Sequence, residues 1–379
     1  MTTSKGPRAP RAPKKAVAAY RAALVPWYRE AARDLPWRRE PTPYRVWVSE
    51  IMLQQTRVET VIPYFERFLG RFPTIAALAA ASDEAVLEAW SGLGYYRRAR
   101  NLHAGAKEIV RRHAGRFPDD LRDVRDLPGI GRYTAGAILS IALGEREPIV
   151  DGNVTRVLCR VFGEAGDVSK AVTSKRLWRI AAEVVAEGPP AVVNQAQMEL
   201  GALVCLPKRP RCAACPCAAL CVARRTGRVD ALPRLPAKRA SVDVARAVLL
   251  VRSDGRVLLR RRREGEVSPG LWDLPGAFTG ADGDRSTGVE DAVAILPFPV
   301  DVGAKLGAIR HGVTYRRIVL DVYAATPRRR GREDRLLRGP DGAELTWHDV
   351  GEADGRALSS PARRILRRLA RPASLPDPR

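Results

Sequence analysis

Between Leu127 and Asn153 a glycine-rich turn, a helix and an isolated carboxylate follow one another in an order suited to work on a polyanion. In Leu127-Pro128-Gly129-Ile130-Gly131-Arg132-Tyr133-Thr134-Ala135, Pro128 restricts the way in. Gly129 and Gly131 permit a sharp turn and close approach of the backbone to a ligand. The spacing of Ala135, Ala137, Ile138, Leu139, Ile141 and Leu143 predicts a helix from Arg132, stopped at Gly144. Amides at such a helix start, with no side chain before them, attract an anion such as a DNA phosphate without reading base sequence. Asp151, between Val150 and Gly152, is then an acid placed where chemistry could occur. Taken singly, the Leu-Pro-Gly turn and Asp151 also read as ordinary loop residues.

A second group is made of cysteines. Cys205, Cys212, Cys215 and Cys221 form a C-x6-C-x2-C-x5-C ladder in a short proline-containing segment with no histidine near, and Cys159 and Cys217 stand outside it. With no apolar N-terminal signal segment ahead of it, a secreted disulfide framework is not expected. Zinc sites usually draw on two separated C-x2-C pairs. Four thiolates around one compact loop better suit a [4Fe–4S] cluster, with zinc as the alternative.

These groups must be held by a sizeable scaffold, and the chain supplies one. Its 379 residues, 45% hydrophobic, suffice for a large core and two domains. The formal net charge of +23 and a pI of about 10.6 favour a polyanionic partner and salt-sensitive association, although arginine-rich composition alone gives the same charge. No apolar run reaches transmembrane length, so no membrane association is expected, and a soluble, reducing compartment such as the bacterial cytoplasm is. Residues 1–15 read as a disordered basic tail and 16–223 as an all-helical domain, with Ser82 capping a helix that begins at Asp83 and Glu84. Residues 224–240 read as a charged, proline-bearing linker, 241–371 as an α+β domain and 372–379 as a tail. In the α+β domain, strands are predicted at 244–251, 257–260 and 318–323, and a helix at 361–370.

Hairpin, acid and ladder together resemble the helix-hairpin-helix DNA glycosylases with an iron–sulfur loop, the endonuclease III superfamily, over about Trp27 to Cys221. Leu35-Pro36-Trp37, the run from Pro43 to Thr56, Gly92-Leu93-Gly94-Tyr95-Tyr96 and the run from Asn194 to Ala202 look like the MutY-type adenine DNA glycosylases nearly residue for residue. Endonuclease III itself has lysine where this chain has Tyr133 and lacks an acid corresponding to Glu50. The resemblance implies an all-α glycosylase core with an iron–sulfur loop, plus a Nudix-like C-terminal domain. It implies a monomeric, monofunctional N-glycosylase that binds double-stranded DNA and excises adenine mispaired with 8-oxoguanine or guanine, in base excision repair.

Such chemistry needs a better leaving group and a partner for an oxocarbenium-like sugar, tasks that two carboxyls in different environments can divide. Glu50 follows Tyr44, Val46, Trp47 and Val48, a poor setting for an ionised carboxylate, so burial would keep a proton available for adenine N7. Asp151 is expected to stay ionised beside C1′, Asn153 to orient it or a water, and Tyr133 to hydrogen-bond in the same pocket. By resemblance these four are the catalytic set and Cys205, Cys212, Cys215 and Cys221 the cluster ligands. Gln55 and Tyr95 are then the residues inserted where the base leaves the stack, Trp37 and Gln195 line the adenine pocket, and Gly129, Gly131 and Arg132 contact DNA. Arg97, Arg98, Arg100, Lys208, Arg209 and Arg211 are expected phosphate contacts. Read alone, Glu50 is a helix cap or an ion-pair partner of Arg45, and Tyr133, Tyr95 and Trp37 are core residues.

Gly270-Leu271-Trp272-Asp273-Leu274-Pro275-Gly276 resembles the segment entering a Nudix fold, but the glutamate-rich helix of a Nudix hydrolase does not follow it. A binding module without pyrophosphatase chemistry is expected. MutY-type proteins commonly probe 8-oxoguanine with a Phe-Ser-His loop after a histidine. Here Arg310-His311-Gly312 leads into Val313-Thr314-Tyr315, which keeps a hydroxyl and a donor but loses the aromatic wedge. A G·T mismatch thymine glycosylase of the same superfamily and a catalytically silent lesion-binding protein are the alternatives. Glu50 and the C-terminal module argue against the first, and intact Glu50 and Asp151 against the second.

Overall fold

Thr42 opens the helix Pro43–Leu53 by accepting the Arg45 amide hydrogen, and Pro43 sits in its first turn, where the missing N–H goes unneeded. This helix carries Glu50 in the first of two units. The computed structural model describes residues 14–237, 240–279, 285–313, 315–328, 336–350 and 356–369. One unit comprises Met1–Ala80 with Asn101–Ala237, the other Ala81–Arg100 with Lys238–Arg379.

The first unit is helical, and its first helix, Lys14–Ala31, starts slightly ahead of the sequence-based boundary. Helices Leu121–Asp126 and Arg132–Ala142 are the two arms of the expected hairpin. Asp120 caps the first by accepting the Arg122 amide at 2.8 Å. The two turn glycines have different tasks. Gly129 has φ +78°, and a Cβ there would stand 2.6 Å from the Cβ of Asn101, so only glycine fits. Gly131 has an ordinary φ of −91° and caps the second helix with no side-chain hydrogen bond, so it serves to leave the helix amides open. Helices Gly152–Phe162 and Pro190–Leu203 approach closely: a Cβ at Gly201 would lie 2.6 Å from that of Asn153.

The stretch read as a linker from residue 224 is not free. Arg160 Nε donates to the carbonyl of buried Leu232 at 2.9 Å, and the Val168 amide donates to the Arg234 carbonyl at 3.1 Å. Val229 and Leu232, apolar side chains among the charges, account for the docking.

The second unit recruits Ala81–Arg100, a segment the sequence reading placed with the helical region. Ser82 caps the helix Asp83–Ala89 as expected, by accepting the Ala85 amide at 3.2 Å. The segment is tied down because Ser91 and Tyr96 hydroxyls both donate to the Leu358 carbonyl, at 3.3 and 3.1 Å. The strands are β1 (Val242–Ser253), β2 (Arg256–Arg261), β3 (Trp272–Asp273), β4 (Gly276–Phe278), β5 (Val300–Val313), β6 (Arg316–Pro327), β7 (Leu337–Arg338) and β8 (Glu344–Asp349). They are ordered β5-β6-β1-β2-β8-β7, with β3 on β2 and β4 on β1. Alternation along β1 buries both faces. Val248 and Leu250 join one core with Ile365 and Leu366 of helix Ser360–Leu369, while Leu249 and Val251 join another with Ala292 and Val293 of helix Arg285–Ala294.

Asp273 is structural. Fully buried, it is paired with Arg246 at 2.7 Å and Arg262 at 2.6 Å and accepts the Ser359 hydroxyl at 2.7 Å. Burial alone would raise its pKa, but the two guanidiniums hold it well below the usual carboxylate range. Val313 pairs with Arg316 between β5 and β6. Thr314 and the Val313 side chain lie outside the described residues, while Tyr315 stands partly buried under the Arg316 guanidinium. Among the described residues no helix is long and apolar enough to cross a membrane.

Candidate active site

Glu50, Tyr133 and Asp151 lie within electrostatic reach of one another in the first unit. Glu50 is 7% exposed, among buried Val46, Trp47 and Ile51 of its own helix. The Tyr133 hydroxyl, in the first turn of the second hairpin helix, donates to Glu50 Oε2 at 2.7 Å and touches Met198 Sδ at 3.3 Å. Burial pushes the Glu50 carboxyl up to about 7; the Tyr133 bond and Arg38 oppose this, and the Asp151 charge adds to it. Burial and the neighbouring carboxyls push the Tyr133 phenol well above its usual value, so it remains a donor. The ion-pair alternative for Glu50 is not realised, since Arg45 faces Glu40 at 3.8 Å and the Pro36 carbonyl.

Asp151 is the N-cap of helix Gly152–Phe162. Its Oδ1 accepts the Val154 amide at 2.6 Å and its Oδ2 the Asn153 side-chain amide at 3.0 Å. The loop-residue reading and the site reading are therefore one geometry. Burial raises the Asp151 pKa from the usual carboxylate value, and bonds from Val154 and Asn153 counter it. Those bonds favour the charged form, which separates Asp151 from Glu50 with its single donor.

Two supporting residues escaped the sequence reading. Arg156 donates to Asn153 Oδ1 at 2.8 Å, to the Gly201 carbonyl at 2.8 Å and to the Cys205 carbonyl at 2.7 Å. Its position three residues beyond Asn153 on one helix face was a usable signal. Glu199 is gripped by Arg33 and Arg38; burial would raise it, but their hydrogen bonds hold it at about 2. Nothing local in the sequence announces that long-range pairing.

The other expected contacts divide. Gly129, Gly131 and Arg132 are exposed, with Arg132 also stacked on Trp178 at 3.9 Å. Gln55 and Tyr95 are exposed and both have left-handed backbone, φ 56° and 48°, which turns each side chain outward. Lys208, Arg209, Arg211 and Arg97 face solvent. Arg98 does not: it is buried, donates to the Leu93 and Gly94 carbonyls and stacks on Trp90 and Tyr95, so it positions Tyr95 instead of meeting phosphate. Trp37 is buried edge-on against Phe65 at 5.5 Å, and the Gln195 amide donates to the Ala191 carbonyl of its own helix. Neither hydrogen-bonds to Glu50 or Asp151.

Cys205, Cys212, Cys215 and Cys221 line one apolar pocket with Arg160 and Arg224. Arg160 Nη1 approaches Cys205 Sγ at 3.4 Å. No histidine or carboxylate lines it. Among the described residues no three metal-binding side chains stand in closed ligand geometry, so the fit rests on the donor set: four thiols, apolar walls and two cations to offset thiolate charge.

Residues 48–183 match the HhH-GPD superfamily base excision DNA repair proteins, and residues 246–368 the NUDIX domain. The adenine DNA glycosylase of Rattus norvegicus is 34% identical over 411 residues, covering 93% of this chain and 78% of that protein. The Homo sapiens adenine DNA glycosylase is 48% identical over 218 residues, covering 55% of this chain but only 40% of that protein. Among solved structures, a thermostable thymine-DNA glycosylase superposes on 56% of this chain with a TM-score of 0.52 and 26% identity. With the glycosylase core, the NUDIX domain and near full-length likeness to a named relative all present, the chain belongs to the adenine DNA glycosylase family.

Proposed function

We propose that this protein hydrolyses the N-glycosidic bond of adenine opposite 8-oxoguanine or guanine in double-stranded DNA, as a monofunctional enzyme of base excision repair. The observation that carries this reading is the Tyr133–Glu50 hydrogen bond on a buried carboxyl still half-protonated near pH 7. Adenine leaves as a poor anion unless protonated, and Glu50 has a proton to give at N7. Asp151, stabilised in its charged form by Val154 and Asn153, faces the positive charge that grows on the sugar. The open hairpin amides and exposed loop cations grip phosphates, while outward-turned Gln55 and Tyr95 fill the gap left by the extruded base. The second unit, without a glutamate box, contributes lesion discrimination through the 313–315 turn. A monomer acting in the cytoplasm completes the reading.

Single-turnover adenine release measured against pH tests the acid. Glu50 is protonated below its pKa and ionised above it, so the rate is expected to fall as pH rises through about 7. A flat profile between pH 6 and 8.5, with DNA binding constant, would remove Glu50 from that role.

The four ladder cysteines would hold a [4Fe–4S] cluster, which when bound supplies a rigid cross-link that orders the loop bearing Lys208, Arg209 and Arg211. Hydrolysis transfers no net electrons. Purified protein is expected to contain about four irons per chain with matching acid-labile sulfide. Cys212→Ser should lower iron content and weaken DNA affinity together. Stoichiometric zinc without sulfide would favour the alternative metal.

A further inference from the structure

Arg132 opens helix Arg132–Ala142 and is exposed, yet among the described residues its guanidinium has no hydrogen bond and no ion pair. Its own helix does not hold it. The first turn carries no acid, and the amides there form the positive end of the helix dipole, which disfavours a cation. A long side chain without a partner keeps its rotamer freedom, and fixing it on a ligand then costs entropy.

What holds it is a ring from another element. The Arg132 Cζ stands 3.9 Å from the centre of the Trp178 ring, whereas the other cation–ring pairs among the described residues span 4.5 to 5.9 Å. At 3.9 Å cation and ring are in van der Waals contact. Trp178 belongs to helix Ala171–Val185, which is anchored in the core by Leu177, Ile180 and Ala181, while Trp178 itself is only partly buried. Contact through the face of a guanidinium leaves its N–H donors, which lie in the plane, free for an acceptor. The stack therefore fixes Arg132 without using up what it has to offer a phosphate.

We propose that Trp178 is a positioning residue for DNA binding: its ring holds the Arg132 guanidinium beside the hairpin turn, so that the free N–H donors meet one phosphate of the duplex. Trp178 takes no part in adenine release. The inference rests on the reading of the hairpin as a phosphate grip.

The test measures the affinity of the full-length protein for an undamaged duplex, on which no base is released, between about 50 and 200 mM salt. Arg132→Ala is expected to flatten the slope of log affinity against log salt by about 0.9, the loss of one phosphate contact. Trp178→Leu keeps an apolar side chain but has no π face, and is expected to weaken binding about 2- to 5-fold with a shallower slope. Trp178→Phe keeps a π face and should retain most of the affinity. In the double variant, Trp178→Leu should cost nothing beyond Arg132→Ala. Arg132→Lys leaves Trp178 in place and keeps the charge but not the planar stack, and should bind more weakly than the wild type. An unchanged affinity and slope in Arg132→Ala would overturn the phosphate reading of Arg132 and this inference with it. If Arg132→Ala flattens the slope, any of three results overturns the role of Trp178 and leaves the grip standing. These are equal losses with leucine and phenylalanine, fully additive losses in the double variant, and wild-type binding by Arg132→Lys.

Discussion

Glu50→Gln is expected to slow adenine release by about 10²–10⁴-fold, the range for a positioned general acid, with mismatch affinity nearly unchanged. Glutamine keeps the shape and still accepts the Tyr133 hydroxyl, but it has no proton to transfer. The same change should stabilise the fold in alkali. An unfolded glutamate releases its proton near pH 4.5, whereas the folded one holds it until about 7. Between those values ionisation favours the unfolded chain, so the wild type loses stability as pH rises and the variant does not. Above pH 7 the difference is on the order of 3 kcal/mol, and below pH 4.5 it vanishes. Thermal melts of both proteins at pH 4.5 and 8 check this sign alongside the single-turnover rates. An acid working in a poor place for a charge is thus expected to carry a stability cost.

Asp151→Asn should lower release by a comparable about 10²–10⁴-fold, for a different reason. An amide cannot balance positive charge on the sugar, yet asparagine is as good an N-cap as aspartate. The Val154 bond can persist, so the melting temperature should change little. The paired measurement of rate and melting curve matters here. A large fall in both would assign Asp151 to the fold and leave the sugar without its counter-charge.

Much of this arrangement was legible in the sequence because local chemistry dictates it. Ser82 is a cap by residue type, and it caps the helix Asp83–Ala89 in the structure. The apolar runs at 244–251 and 257–260 became β1 and β2. The turn, the acid and the ladder stood in the family's order, and the family was readable from that. What escaped depended on distant partners. Arg98 reads as one more surface arginine until the Leu93 and Gly94 carbonyls close over it. Ala81–Arg100 reads as helical domain until Ser91 and Tyr96 find the Leu358 carbonyl, more than 260 residues away. Residues 224–240 read as linker because charge and proline outweigh the two apolar side chains, Val229 and Leu232, that anchor the segment.

The most direct test of the account is a single-turnover comparison of the full-length protein on four duplexes containing 8-oxoguanine·A, G·A, G·T and G·U. The account predicts release of adenine from the first two, fastest opposite 8-oxoguanine, leaving an abasic site that breaks only after alkali, with no release from G·T or G·U. Release of thymine or uracil with adenine left intact, or binding to every duplex without release from any, would contradict it.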